Sequence, residues 1–165
     1  GVAMGARVIG VSRHAAGRAA IEAFGGEAID SEGWTDAVLE KTGGKGANVV
    51  LELVGAPNFP GDVTVLARLG RIAIVGIGAG QKTEVMLRDL MTKRGTVFGT
   101  TLRARPIEEK ADAIHRFHHE LTRCFDDGRL KPVIDRAFPW NQAGDALAHM
   151  ESPGKVGKVL LDFSS

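Results

Sequence analysis

Residues 47–80 read ANVVLELVGAPNFPGDVTVLARLGRIAIVGIGAG. Two apolar runs stand out, residues 47–54 and residues 71–75, and each stops at a glycine, Gly55 and Gly76. Neither run alternates apolar with polar residues. That continuity is expected of strands whose sheet is covered on both faces, as parallel sheets are. Between the runs, residues 62–69 read as a helix ending at Gly70. Strand, helix and strand in this order form a crossover unit, the repeating element of α/β folds.

The pattern continues in both directions. Upstream, residues 6–11 read as a buried strand, 15–24 as a helix stopped by Gly25 and Gly26, 27–30 as a short strand, and 34–42 as a helix stopped by Gly43 and Gly44. Downstream, residues 86–93 read as a short helix and 96–100 as a strand. Pro106 suits the first position of the following helix, where its missing N–H costs nothing. That helix should run to about residue 127 and stop at Gly128. Ile114, Phe117, Leu121 and Phe125 fall at helical spacing, which predicts one buried face. Residues 130–138 read as a strand, 141–151 as a helix and 156–163 as a last strand. The expected fold class is α/β with a doubly wound parallel sheet.

A chain of 165 residues fits one ordinary domain. Charged residues make up 25% and net charge is +1, so bulk electrostatics points to neither nucleic acid nor membrane. No apolar run approaches the ~20 residues of a membrane span, and the N-terminus lacks the regions of a signal peptide. The single Cys124 excludes an internal disulfide and a cysteine-rich zinc site, so a reducing, cytoplasmic setting is expected. At helical spacing Cys124 lies near the apolar stripe and reads as a packed thiol. His115, His118 and His119 cluster on the long helix, and His115 and His119 share a face that could bridge a metal. No carboxylate or cysteine completes the set at an obvious spacing, so a solvated face is preferred and no metal is expected.

Several words carry a family resemblance: GARVIG (5–10), TGGKGANVVLELVG (42–55), LGRIAIVGIGAG (69–80), RGTVFGTTLRARP (94–106), EEKADAI (108–114), DGRLKPVIDRAFP (127–139) and HMESPGKVGKVLLDF (149–163). Together they resemble the medium-chain dehydrogenase/reductase family, in its zinc-free NADPH:quinone oxidoreductase branch. The resemblance implies a Rossmann-like sheet lacking the first strand and the glycine-rich loop, which in such relatives lie ahead of the position of Gly1. That strand is central in the order 3-2-1-4-5-6, and its turn holds the cofactor pyrophosphate at a helix N-terminus. The resemblance also implies two regions: residues 1–128 as a partial dinucleotide-binding domain, and residues 129–165 as a segment that in relatives packs partly on a separate catalytic domain.

The implied cofactor contacts follow residue by residue. After the first strand, Ser12, Arg13 and His14 offer no acid for ribose hydroxyls. A guanidinium grips phosphate through two hydrogen bonds, so Arg13 with Arg18 favours NADPH over NADH. Gly17 stands where many relatives carry a phosphate-binding lysine, and Ser31 where they carry a tyrosine. Val54 and Gly55, then Gly76, Ile77 and Gly78, sit at carboxyl ends of strands, where open α/β sheets bind ligands. Thr100, Thr101 and Leu102 would border the nicotinamide. Gly157 and Lys158 match a C-terminal Gly-Lys contact, although Lys155 replaces the usual Asn two residues earlier. The family's hydride chemistry is supplied by the cofactor, so no catalytic residue is assigned to this chain.

Two classes of function follow. One is the nucleotide-binding part of an NAD(P)H-dependent oxidoreductase acting on quinones or activated C=C bonds, with an enoyl-thioester reductase domain as a near variant. Its partner is a small-molecule electron acceptor. The other is a truncated, non-catalytic module that folds and self-associates. An exposed strand edge at residues 96–101 would favour a homo-oligomer under either reading.

Overall fold

The computed structural model describes residues 1–164. Strands and helices alternate almost throughout: β1 (Ile9–Val11), α1 (Ala15–Ala23), β2 (Glu27–Ile29), α2 (Trp34–Lys41), β3 (Ala47–Glu52), α3 (Phe59–Val65), β4 (Leu66–Ile74), α4 (Leu87–Lys93), β5 (Thr96–Gly99), α5 (Ile107–Asp126), β6 (Ile134–Pro139), α6 (Ala143–Glu151) and β7 (Lys158–Asp162). Every strand pairing is parallel: β1 with β2, β4 between β3 and β5, and β6 with β7. Parallel neighbours need crossover connections, and the intervening helices supply them. This is the Rossmann-like α/β class that the glycine-punctuated runs predict.

The chain divides into two compact units. One comprises Gly33–Ala113; the other comprises Gly1–Glu32 with the residues from Ile114 onward.

In the Gly33–Ala113 unit, β4 is the central strand and Ile72 is fully buried. Val63 of α3 and Leu66 pack with it, and Val50, Phe59, Ile74, Val85, Leu90 and Val97 close around them. Lys93 of α4 extends its ammonium to the carbonyls of Val63 and Thr64, at 2.7 and 2.5 Å, and so satisfies acceptors left open at the end of α3.

Three expectations are corrected here. The helix predicted over residues 62–69 occupies Phe59–Val65, and Leu66 already belongs to β4. Its last turn, Val63-Thr64-Val65, is β-branched and holds a helix poorly. Pairing of Leu66 with Ala47 and burial of Leu66 and Ala67 end it early. Leu69 then takes a left-handed conformation, φ 61°, which returns the chain to register at Arg71 opposite Val49. Second, β3 is not covered on both faces. Val50 and Glu52 point inward, whereas Val49 and Leu51 are 53% and 66% exposed, because no described helix lies on that face. Third, the stripe on α5 is not a buried face: Ile114, Phe117 and Phe125 are exposed, and Cys124 is the buried position. Phe117 and Phe125 pack on each other instead, with ring centroids 5.8 Å apart.

In the other unit, the strand predicted from residue 130 begins only at Ile134. His149 of α6 meets Asp135 of β6, Nε2 to Oδ2 at 2.6 Å, and Asp135 Oδ1 accepts the Val156 N–H at 3.2 Å. These bonds hold the Asp135 carboxyl below its usual range, the His149 bond most and the Val156 N–H next. A lowered carboxyl contributes stability above the ordinary carboxylate range and loses it as pH falls through the depressed value. Asp135→Asn should therefore lower the melting temperature near neutral pH. Thermal scans in acid should show the gap to the parent chain closing.

Candidate functional site

Because β3, β4 and β5 are parallel, their carboxyl ends emerge on one side of the Gly33–Ala113 unit. Three sequence-predicted segments meet there: Val54-Gly55 after β3, Gly76-Ile77-Gly78 after β4 and Thr100-Thr101-Leu102 after β5. Backbone bonds tie them together. The Val75 N–H donates to Glu52 O at 2.8 Å, Ala79 N–H to Val54 O at 2.9 Å, Ala56 N–H to Gly80 O at 3.0 Å and Thr100 N–H to Ile74 O at 3.0 Å.

Glycine is required at two of these positions. Gly55 adopts φ 109°, and a Cβ there would lie 2.5 Å from Gly80 O and 2.8 Å from Ile77 Cα. A Cβ on Gly76 would run into the carbonyl of Leu53. Gly78 differs: a Cβ there would meet nothing within 4 Å, so its face is open to an incoming group. Two cavities flank the glycines. One, of about 490 Å³, is lined by Val75, Thr100, Thr101, Leu102, Arg103 and Arg105. The other, of about 390 Å³, includes Glu52, Gly55, Ile77, Gly80 and Lys82 in its wall. Arg105 braces the first, its Nη2 donating to Thr100 Oγ1 at 2.9 Å and its Nε to Thr101 O at 2.8 Å.

Beneath the second cavity lies a feature the sequence reading missed. Glu52 and Asp62 are each only 3% exposed. Glu52 Oε1 accepts the N–H groups of Val54 and of Gly55, the latter at 2.6 Å. Asp62, on α3, lies within hydrogen-bond reach of Glu52. Burial, then the bond to Glu52 and its charge, push the Asp62 carboxyl up to about 8. Asp62 Oδ2 is buried with no hydrogen-bond partner. The available signal was Glu52 itself, an acid inside the apolar run of residues 47–54, which is costly unless its bonds are met.

The remaining predicted residues lie in the other unit. Ser12 follows β1, and its N–H donates to Ile29 O at 3.1 Å. Arg18 donates from Nη1 to Ser12 O at 2.8 Å and pairs with Asp30 Oδ2 at 2.6 Å, so this guanidinium is already engaged. Arg13 is exposed and makes no hydrogen bond or ion pair among the described residues. Gly157, φ 113°, precedes β7, and a Cβ there would lie 2.5 Å from Val133 O. Lys158 is exposed, and its N–H donates to Val133 O at 2.8 Å. On α5, His118 Nδ1 lies 3.1 Å from Thr122 Oγ1.

Comparison with known proteins places this arrangement in a family. Residues 25–161 match the family model described as zinc-binding dehydrogenase. A quinone oxidoreductase of Lama guanicoe is 33% identical over 129 residues, covering 76% of this chain and 37% of that relative. The chain thus spans little more than a third of the curated relatives' length. Among solved structures, an NAD-dependent alcohol dehydrogenase superposes with a TM-score of 0.74 at 28% identity, over 97% of this chain and 45% of the other. A quinone oxidoreductase of Pseudomonas syringae pv. Tomato superposes with a TM-score of 0.75 at 26% identity, over 96% of this chain and 50% of the other. Among the described residues, no group of three or more His, Cys, Asp or Glu is placed to hold a metal ion. Fold, glycine-lined strand ends and sequence match agree: the chain belongs to the zinc-binding dehydrogenases of the medium-chain dehydrogenase/reductase family.

Proposed function

We propose that this chain is the nucleotide-binding part of a cytoplasmic NAD(P)H-dependent oxidoreductase that reduces quinones or activated C=C bonds, with NADPH preferred. The observation that carries this reading is the placement of Gly55, Ile77 and Thr100–Leu102 in the walls of two open cavities at the carboxyl ends of three parallel strands. That edge is where open α/β sheets bind nucleotides. A bound nicotinamide supplies hydride, and the protein positions it. Gly78 leaves space for the ribose and ring to approach the backbone. Thr100 and Thr101 border the neighbouring cavity, with Arg105 fixing the loop that carries them. Arg13, exposed and unpaired, is the guanidinium available for a 2′-phosphate, while Arg18 buttresses the turn through Ser12 O and Asp30. No helix among the described residues is long and apolar enough to cross a membrane.

Calorimetric titration of the chain with NADPH, and with NADH as the comparison, tests this. Micromolar NADPH binding is expected. Arg13→Ala should weaken NADPH by about 10- to 100-fold, the worth of a charge-assisted hydrogen bond to phosphate, and leave NADH unchanged. No heat with either cofactor up to millimolar concentration overturns the reading.

A second reading, a module that self-associates without turnover, is favoured by one observation. Val49 and Leu51 on β3, and Leu53 just beyond it, are exposed, and the second edge of β3 has no strand partner among the described residues. Light scattering across a concentration series decides it: a monomer at all concentrations removes this alternative.

A further inference from the structure

We propose that Glu52 and Asp62 form a proton-dependent latch that positions the Val54–Gly55 backbone at the nucleotide site. The role at that site rests on the reading given under Proposed function.

The latch is built from three observations. Both carboxyls are almost fully buried and within hydrogen-bond reach of each other. Glu52 Oε1 accepts the N–H groups of Val54 and Gly55, and Glu52 and Gly55 both line the cavity. Asp62 Oδ2 has no hydrogen-bond partner, so an ionised Asp62 would leave a bare charged oxygen in the interior.

No cation compensates the pair. Of the elements packed against α3, α4 contributes Lys93, whose ammonium is held at Val63 O and Thr64 O, with Asp89 near it. Helix α2 carries the acids Asp36 and Glu40 and Lys41, which is engaged elsewhere, and β4 carries Arg68 and Arg71; no ion pair reaches Glu52 or Asp62. Lys82 lines the cavity beside Glu52 without bonding to it. Two adjacent buried carboxyls without a cation cannot both ionise, so one proton must sit between them. With Glu52 Oε1 occupied by two N–H donors, Asp62 is the group that carries the proton and donates it to Glu52.

When Asp62 loses that proton, repulsion acts on Glu52 and through it on the two N–H bonds. The turn bearing Gly55 loosens, and the cavity wall it forms loosens with it. Alkaline pH therefore opens the latch.

NMR titration of the 165-residue chain between about pH 5 and 9.5 tests this without any cofactor, following the Asp62 side-chain carbon and the Val54 and Gly55 amide nitrogens. The expected result is an Asp62 midpoint above neutrality, shared by both amides. Asp62→Asn keeps a donor for Glu52 and removes the titration, so the amide shifts should vanish. Glu52→Gln keeps an acceptor for both N–H groups and removes the like charge, so the Asp62 midpoint should fall. An Asp62 midpoint in the ordinary carboxylate range, amides that do not follow it, or amide shifts that persist in Asp62→Asn overturn the latch. A parallel NADPH titration assigns its role. Affinity should drop about 10-fold from pH 7 to 9.5 in the parent chain and stay level in Asp62→Asn, a difference corresponding to one pKa-unit of coupling. A common pH profile in both overturns the role at the site. Absent NADPH binding with intact coupling of Asp62 to the amides supports the latch and removes the nucleotide reading alone.

Discussion

Ile72→Ala is expected to lower the unfolding free energy by about 2–5 kcal/mol, the range for truncating a packed core aliphatic to alanine. Ile72 is fully buried on the central strand of its sheet, with Val50 opposite it on β3 and Val97 opposite it on β5. Val63 and Leu66 enclose it from α3 and the start of β4. Atoms on three strands and one helix would lose contacts, and β4, held between two parallel neighbours, cannot collapse into the gap. Domains are stable by only about 5–15 kcal/mol, so the loss is a large fraction of the whole. Urea denaturation measures it as a fall in midpoint at unchanged slope. Leu51→Ala is the internal comparison. Leu51 lies one residue along β3 from Val50 but is 66% exposed, so its loss should cost within about 0.5 kcal/mol. Similar costs for the two variants would show that the core is not centred on β4.

The second large effect separates two glycines two residues apart. Gly76→Ala should destabilise the chain by about 1–3 kcal/mol and disturb the loop after β4, because its Cβ meets the Leu53 carbonyl, a backbone atom that cannot swing aside. Gly78→Ala should leave stability within about 0.5 kcal/mol of the parent, since its Cβ would enter open space. The same methyl would occupy the space that the proposed cofactor needs, so NADPH affinity should fall with the fold intact. Denaturation and calorimetry on both variants therefore distinguish a glycine kept for the backbone from one kept for a ligand. Unchanged NADPH binding in Gly78→Ala would place the ligand elsewhere.

Stability against pH carries a further signature. Asp62 is raised to about 8, above its unfolded value, so its contribution is fully present below the ordinary carboxylate range and is lost as pH rises toward about 8. Asp62→Asn should thus gain on the parent chain in melting temperature between about pH 4 and 8, where Asp135→Asn loses its disadvantage only toward acid.

Much of the fold is legible in residue order alone. The runs that became β3 and β4 are apolar and closed by glycine, and α1, α2 and α5 begin and end within two residues of the expected bounds. These are local properties: strand and helix periodicity, and backbone freedom at a turn, act over neighbouring residues. The placement of Val54-Gly55, Gly76–Gly78 and Thr100–Leu102 on one side also follows once every crossover is parallel. Family membership rests on the same words, because they are spread over most of the chain.

Other features needed the tertiary structure. Residues 66–69 extend a helical pattern, yet Leu66 joins β4 because pairing with Ala47 and burial beside Ile72 outweigh local preference. The apolar stripe of α5 has helical spacing, but spacing cannot say whether anything covers it, and Phe117 and Phe125 remain exposed. Arg13 and Arg18 are indistinguishable in sequence; only the fold delivers Asp30 and Ser12 O to Arg18 and leaves Arg13 free. Glu52 and Asp62 are ten residues apart in the chain and carry no motif. By itself, the sequence determined the order of elements, the parallel sheets and the side on which the loops gather, because those depend on periodicity and on the handedness of the backbone. Which carboxyls meet, which guanidinium is engaged and which apolar faces are covered were decided by tertiary structure, because burial and pairing are properties of residues brought together across the chain.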